Sequence, residues 1–286
     1  MLRDKLGKSF VYSTELGGIN GTDIEESIAK VNEYSGLDAL NIHDCPNARL
    51  RMNSVMAAAV ISKATGMETI PHFTCRDRSL LGTQADLLGA HALGIRYLLP
   101  TTGDGPQHGP YQSSGVYDYN SARLIELIKG LNQGNDANGE VFKGQTQFTV
   151  AATATPAAVN LDAEMITLQK KVNAGADFFQ TQPIYDAEQA MQFLAKAKVL
   201  GKPILLGIMP LKSLKMAEFV NKNVAGVTVP QNILDEMQAG KTGFEVACEF
   251  IKQIYQQVDG LHIFGMGDVA VTNKLIAFTK ELQSQQ

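Results

Sequence analysis

One arrangement recurs along most of the chain: a short apolar, β-rich run that ends in a polar side chain with reactive or ligating chemistry. Val11-Tyr12-Ser13-Thr14-Glu15-Leu16 carries Glu15 just before Gly17 and Gly18. Ala39-Leu40-Asn41-Ile42 ends at His43 and Asp44, Thr69-Ile70-Pro71 at His72, and Ile95 to Leu99 at the segment Thr101 to Asp104. Gln147 to Ala152 ends at Thr153, and Phe178-Phe179 at Gln180-Thr181-Gln182. Apart from the step from Asp104 to Thr153, successive ends lie roughly 30 residues apart, the length of a strand plus its crossover helix. A (β/α)8 barrel gathers such carboxyl ends on one face, where active sites are built. The sequence therefore predicts an α/β fold, a (β/α)8 TIM barrel forming a single domain over residues 1–286, with Glu15, His72, Asp104 and Gln182 around one mouth. An open doubly wound sheet is the alternative, but no G-x-G-x-x-G opens a helix.

The segments between these runs keep helical spacing. Thr22 and Asp23 are placed to cap a helix with Ile24, Ile28 and Val31 on one side. Arg51 to Ala64 reads as a helix stopped by Gly66, with Met52, Val55, Met56, Ala59 and Val60 inward. Strand seven is read at Ile204 to Ile208, strand eight at Leu261 to Phe264, and the last helix from Asp268. Asn132 to Gly144 is a polar connection assigned to the face opposite the mouth. Pro106 to Tyr117 is the longest irregular stretch, and loops of that length are commonly functional.

Composition narrows the function. The 286 residues are 44% apolar, enough for one barrel core, and the formal net charge is −4. No basic run or aromatic-interleaved basic patch argues for nucleic acid. Neither a signal region nor an apolar run of membrane-spanning length is visible, so the expectation is a soluble, cytoplasmic protein. Cys45, Cys75 and Cys248 make an odd count with no CxxC pair, which suits a reducing compartment.

Written out in order, the strand ends and helix segments resemble the methylenetetrahydrofolate reductase family, over nearly the whole length from Phe10 to about Phe264. The matching pieces are Thr14-Glu15-Leu16, Ala48-Arg49-Leu50-Arg51-Met52, His72-Phe73-Thr74-Cys75, Thr102-Gly103-Asp104 and Gly115-Val116-Tyr117-Asp118. Lys171 to Asp177, Thr181-Gln182, Pro210-Leu211-Lys212-Ser213 and Asn223-Val224-Ala225-Gly226 complete the set. The chain looks closest to the short single-domain bacterial type. The resemblance implies a barrel holding FAD that reduces 5,10-methylenetetrahydrofolate to 5-methyltetrahydrofolate. It makes Glu15 the general acid, Asp104 the aspartate facing both flavin and folate, and Gln182 a folate contact. It makes His72 a flavin contact and gives Glu164 and Lys171 the ribityl and phosphate portion of FAD. Three positions depart from the family near the flavin: His43 stands for a threonine, Thr102 for an arginine, and Thr153 for a stacking tyrosine. His43 and Thr153 would still face the cofactor. The electron donor is then NAD(P)H or a partner redox subunit, and association into a homo- or hetero-oligomer is expected.

The chemistry asks for such residues. Opening the imidazolidine ring needs a proton at N(10), and a carboxylic acid supplies one at neutral pH if burial or a second carboxylate raises its pKa. Glu15 sharing the mouth with Asp104 meets that requirement, and Asp104 also suits the cationic iminium that forms at N(5). The hydride must come from a cofactor. Lys171 beside Lys170 equally reads as a solvated helix face. Three alternatives remain at this level: a flavin-independent folate reductase, a non-catalytic barrel subunit of a redox complex, and a zinc-dependent lyase or methyltransferase. The last would draw on His43, Asp44, Cys45, His72, Cys75, Asp104 and His108. Against it, His72 and Cys75 are three residues apart, so on a strand they point to opposite faces.

Overall fold

The computed structural model describes residues 1–224 and 226–285, so Ala225 of the Asn223 to Gly226 motif lies outside the described residues. In chain order the elements are α1 (Leu2–Lys5), β1 (Val11–Leu16), α2 (Glu25–Asn32), β2 (Ala39–Ile42), α3 (Ser54–Thr65), β3 (Thr69–Thr74), α4 (Leu80–Ala92) and β4 (Tyr97–Thr101). Next come α5 (Ser121–Asn132), β5 (Thr149–Ala154), α6 (Leu161–Asn173), β6 (Phe178–Pro183), α7 (Ala187–Ala197) and β7 (Ile204–Ile208). The chain ends with α8 (Leu214–Asn223), α9 (Gln231–Gln238), α10 (Gly243–Ile254), β8 (Gly260–Ile263) and α11 (Val269–Ser284). The strands pair in parallel in sequence order, and β8 closes on β1 through Val11 opposite Gly260 and Thr14 opposite Ile263. This is the (β/α)8 barrel expected from the spacing.

Strand side chains alternate between faces, and here the alternation separates stability from chemistry. Leu16, Leu40, Ile42, Phe73, Leu98, Val150 and Phe179 point outward into the shell beneath the helices, where they are buried. Cys75 joins that shell while His72 lines the cleft, as their odd spacing requires. The other face fills the barrel in three levels. At the bottom, Val11, Ala39, Ile70, Tyr97, Ala151, Phe178 and Leu205 form an apolar plug closed from below by Leu2 of α1. Two residues further along their strands come Ser13, Asn41, His72, Thr153, Gln180 and His262, a polar level. Two residues beyond these stand Glu15, His43, Thr155 and Gln182, at the mouth.

The polar level holds together because each member satisfies another. Asn41 and Gln180 make a reciprocal amide pair across the barrel, Nδ2 to Oε1 at 2.8 Å and Nε2 to Oδ1 at 2.9 Å. Asn41 Nδ2 also donates toward His72 Nε2 at 3.2 Å, and Gln180 Nε2 to Ser13 Oγ at 3.1 Å. Ser13 Oγ lies 2.9 Å from His262 Nδ1. All these groups but His72 are nearly or fully buried, so an unpaired member would carry its whole desolvation cost.

Backbone detail fixes the mouth. Gly207 in β7 packs where a Cβ would sit 2.5 Å from the Thr181 carbonyl oxygen and 2.6 Å from Gln182 backbone atoms. Only glycine leaves room for the β6 register shift between Gln180 and Pro183, which carries Gln182. The Pro106 to Tyr117 loop is tied down at its end, with Val116 and Tyr117 N–H donating to the Arg76 and Cys75 carbonyls.

One helix face differs from its expected reading. Helix α3 starts at Ser54 rather than Arg51, because the Asn53 side chain accepts the Val55 and Met56 N–H groups as its cap. Its buried stripe is Val55, Ala57, Ala58 and Ile61, while Met56 and Val60 are 55% and 46% exposed. The small alanines, not the larger side chains, face the sheet and let the helix approach it. Gly66 at φ 74° ends it as expected.

The amide pair is expected to be energetically coupled. Asn41→Leu and Gln180→Leu each strand the partner's buried amide and cost about 1–3 kcal/mol. The double variant loses less than the sum of the two in denaturant unfolding. Strict additivity would show that the pair does not hold the barrel interior together.

Candidate active site

The three levels open into a cleft of about 580 Å³ at the carboxyl ends of the strands, within the usual range for a ligand site. Glu15 stands at its floor between two imidazoles: Oε2 lies 3.0 Å from His43 Nε2, and Oε1 lies 3.2 Å from His262 Nε2. The polar level below sets these contacts. His262 Nδ1 faces Ser13 Oγ at 2.9 Å and Gln180 Nε2 at 3.3 Å, which holds the ring with Nε2 turned to Glu15.

These contacts reverse the charge state expected for Glu15. Burial by itself would raise its carboxyl, but the His43 charge and the hydrogen bonds from His262 and His43 hold it well below the ordinary carboxylate value. Burial likewise opposes charge on His43, yet the Glu15 carboxylate, its hydrogen bond and the charge of Asp104 raise the imidazole above its usual value. The proton of the pair thus rests on His43. Asp104, expected to raise Glu15, acts instead on His43. Loss of solvation in the cleft wall, reinforced by the His43 charge, pushes His72 down to about 3, so it stays neutral.

Asp104 is at the exposed rim, in the loop after β4. Its Oδ2 accepts the Asn47 N–H at 2.6 Å, and its backbone carbonyl accepts from Arg76 and the Tyr117 hydroxyl. Asn47 and its neighbours Cys45 and Ala48 take left-handed φ of 53°, 47° and 51°. Non-glycine residues hold such angles at a cost, often where a site is being shaped. Gln182 lines the cleft from β6.

On the β5 side, Lys171 of α6 is buried rather than solvated. Its Nζ donates to the Thr153 carbonyl at 2.6 Å and to Thr153 Oγ1 at 3.1 Å. Burial lowers its pKa, and Glu164 opposes that only through its charge. The Glu164 carboxylate accepts the Thr155 N–H, and among the described residues no acid forms an ion pair with Lys171. A helical period of 3.6 separates the faces of Lys170 and Lys171; adjacency in sequence hid this.

The zinc reading loses three of its seven ligands. Asp44 is engaged by Arg78 and Thr74, Cys75 is in the outer shell, and His108 is exposed. Glu15, His43 and His72 do lie close, with ligand atoms within 4.8 Å of one another. However, His72 Nε2 already faces the Asn41 N–H, whose orientation the amide pair fixes. His262, Asn41, Ser13 and Gln180 were missed as site residues. Stepping back by two from each strand end would have found them.

A family model described as methylenetetrahydrofolate reductase matches residues 8–278. A 5,10-methylenetetrahydrofolate reductase of Pectobacterium carotovorum subsp. carotovorum is 30% identical over 204 residues, 69% of this chain and 63% of the relative. A Caenorhabditis elegans relative named "Probable methylenetetrahydrofolate reductase (NADPH)" is 26% identical over 208 residues, 72% of this chain and 29% of the relative. The chain thus spans less than two thirds of these relatives' length. Among solved structures, a tetrahydromethanopterin reductase from Methanopyrus kandleri superposes with a TM-score of 0.58 at 13% identity, covering 94% of this chain and 97% of the other. A 2,3-dimethylmalate lyase superposes at 0.52 with 13% identity, covering 99% and 84%. Both show the barrel fold alone. With the family model covering almost the whole barrel, including the strand that carries Glu15 and the strand that carries His262, the chain belongs to the methylenetetrahydrofolate reductase family.

Proposed function

We propose that this protein reduces 5,10-methylenetetrahydrofolate to 5-methyltetrahydrofolate using a bound FAD. The observation that carries the reading is the bracketed Glu15 at the floor of a polar cleft, in a chain of this family. Ring opening needs a proton delivered to one nitrogen and an anionic surface facing the cation left on the other. The Glu15–His43 pair holds a proton, and Asp104 supplies negative charge at the rim. Gln182 offers an amide donor and acceptor for the pterin edge.

The donor set fits a phosphate-bearing cofactor. Lys171 is a buried ammonium at the cleft with no paired carboxylate, which suits an anionic group. Lys171 and Glu164 would hold the ribityl and phosphate portion, with His72, His43, Thr153 and Asp104 toward the ring. When bound, reduced flavin supplies the hydride that no side chain can. The cation's anchorage on Thr153 occupies the place where the family's tyrosine would stack. Electrons enter from NAD(P)H or from a partner redox subunit. The described chain has no helix long and apolar enough to cross a membrane.

Purified protein is expected to bind FAD non-covalently and to lack stoichiometric zinc, read from a visible spectrum with a metal assay. A colourless protein that takes up no flavin on reconstitution would favour a flavin-independent reductase. Lys171→Met is expected to weaken FAD binding about 10- to 100-fold, the worth of one charge-assisted hydrogen bond, without lowering the melting temperature. Equilibrium dialysis and a thermal melt check the two parts. Glu15→Gln keeps the volume but cannot pass a proton, and is expected to slow folate reduction about 10²–10⁴-fold. The flavin half-reaction with its electron donor remains near the parent rate in stopped flow.

A further inference from the structure

Glu15 has two imidazole neighbours, and they are not equivalent. The His262 side chain is 3% exposed and locked by Ser13 and Gln180 beneath it. The His43 side chain is 23% exposed, lines the cleft, and among the described residues has Glu15 as its one hydrogen-bonding partner. A proton lost from His43 can be replaced from water at the mouth; one lost from His262 would have to cross the polar level. We infer that His43 stores the proton spent in opening the folate ring and passes it to N(10) through Glu15. This inference rests on the proposed reduction and names a residue for its proton supply.

The charge balance supports the assignment. As the bond from N(10) to the methylene carbon breaks, its electron pair stays on N(10) and takes the proton from the Glu15 carboxyl. Glu15 has received that proton from His43 Nε2 across the 3.0 Å contact, leaving a neutral imidazole. The other product of bond breaking is the iminium cation at N(5). One positive charge therefore disappears from His43 as one forms on the substrate, and the total charge in the cleft is unchanged. The two carboxylates that stabilise the imidazolium, Glu15 on β1 and Asp104 after β4, are then free to face the new cation. Low-dielectric surroundings penalise the separation of a new pair of opposite charges, and this step separates none, because it moves an existing positive charge from His43 to the substrate.

The groups facing His43 set the sign of its pH dependence. Glu15 and Asp104 both favour its charged form. His72 from β3 stacks against it, with ring centroids 4.9 Å apart, and stays neutral, while His262 reaches it only through Glu15. Its sequence neighbour Asp44 is turned to Arg78. Folate reduction is therefore expected to fall as pH rises through a His43 value above that of a free imidazole. Asp104→Asn removes a stabilising charge and moves that limb to lower pH.

The test follows single-turnover reduction of methylenetetrahydrofolate by chemically reduced holoprotein across pH, beside nitrogen-15 NMR titration of the resting protein. His43→Gln still donates to Glu15 Oε2 but carries no transferable proton. It is expected to be about 10²–10⁴-fold slower at neutral pH, to lose the basic limb, and to regain rate with added imidazole. Affinity for the folate stays near that of the parent. The NMR signal of His43 titrates above the ordinary imidazole value and drops in both Glu15→Gln and Asp104→Asn. A His43→Gln protein with the parent's rate and basic limb overturns the relay. So does a His43 resonance that titrates at or below the ordinary value. A parent protein that never reduces methylenetetrahydrofolate, with His43 still titrating high, sinks the functional reading and the relay with it.

Discussion

The reciprocal amide pair between Asn41 and Gln180 is the contact on which the upper barrel depends. It joins β2 to β6 across the interior and uses both ends of each amide, so neither can rotate without stranding buried polar atoms. Each amide has a second donation to make. Asn41 gives it to His72, and Gln180 gives it toward Ser13 and His262. Through those three contacts one pair sets the orientation of the His262 ring and the free edge of His72. The edge of His262 that faces Glu15 follows from residues one level below it. Such a polar interior is affordable because the apolar plug beneath and the helix-facing shell outside carry the stability.

Glu15 shows how placement decides ionisation. The same carboxyl on a strand end with apolar neighbours alone would hold its proton, since burial disfavours the anion. Two imidazoles within 3.2 Å invert that outcome and move the proton to the residue next in line. Asp104 strengthens the arrangement from outside, acting on His43 rather than on Glu15. A carboxylate–imidazole pair has a property that two carboxylates lack: its proton-bearing form carries no net charge, and its proton lies beside the cleft.

The barrel was legible because its period is long and redundant. Strands that recur mostly about 30 residues apart leave few topologies, and misplacing one end by two residues changes nothing. Strand seven, Ile204 to Ile208, has the bounds read from the sequence. Glu15, His43, Asp104 and Gln182 at the mouth, and His72 and Thr153 one level below, were legible because they terminate runs. Ser13, Asn41, Gln180 and His262 were not: Asn41 and His262 are flanked by buried apolar residues, and Ser13 and Gln180 stand beside Thr14 and Thr181, which blur a period of two. On the sequence Lys171 reads equally as a cofactor contact and as a solvated face, because on a helix its neighbour Lys170 says nothing about its own face. Helix α3 failed differently. Its stripe was read from helical spacing in the wrong phase, whereas packing on the sheet selected Val55, Ala57, Ala58 and Ile61 and left Met56 and Val60 outside.

The departures from the family pattern are tied to neighbours rather than scattered. Thr153 stands where a stacking aromatic is expected, and its carbonyl and hydroxyl are the two acceptors that keep the Lys171 ammonium buried. An aromatic side chain at 153 would leave the ammonium one acceptor fewer in a site where burial already disfavours its charge. His43 stands where a threonine is expected, and a threonine hydroxyl could donate to Glu15 without neutralising it. With one cationic neighbour gone and only His262 left, burial would regain its hold on the Glu15 carboxyl. The histidine therefore does more than alter the surface of the cleft, since it changes which atom holds the proton. Two of the three departures are thus each half of a pair, Thr153 with Lys171 and His43 with Glu15. Reverting one member alone leaves the other in surroundings built for a different partner.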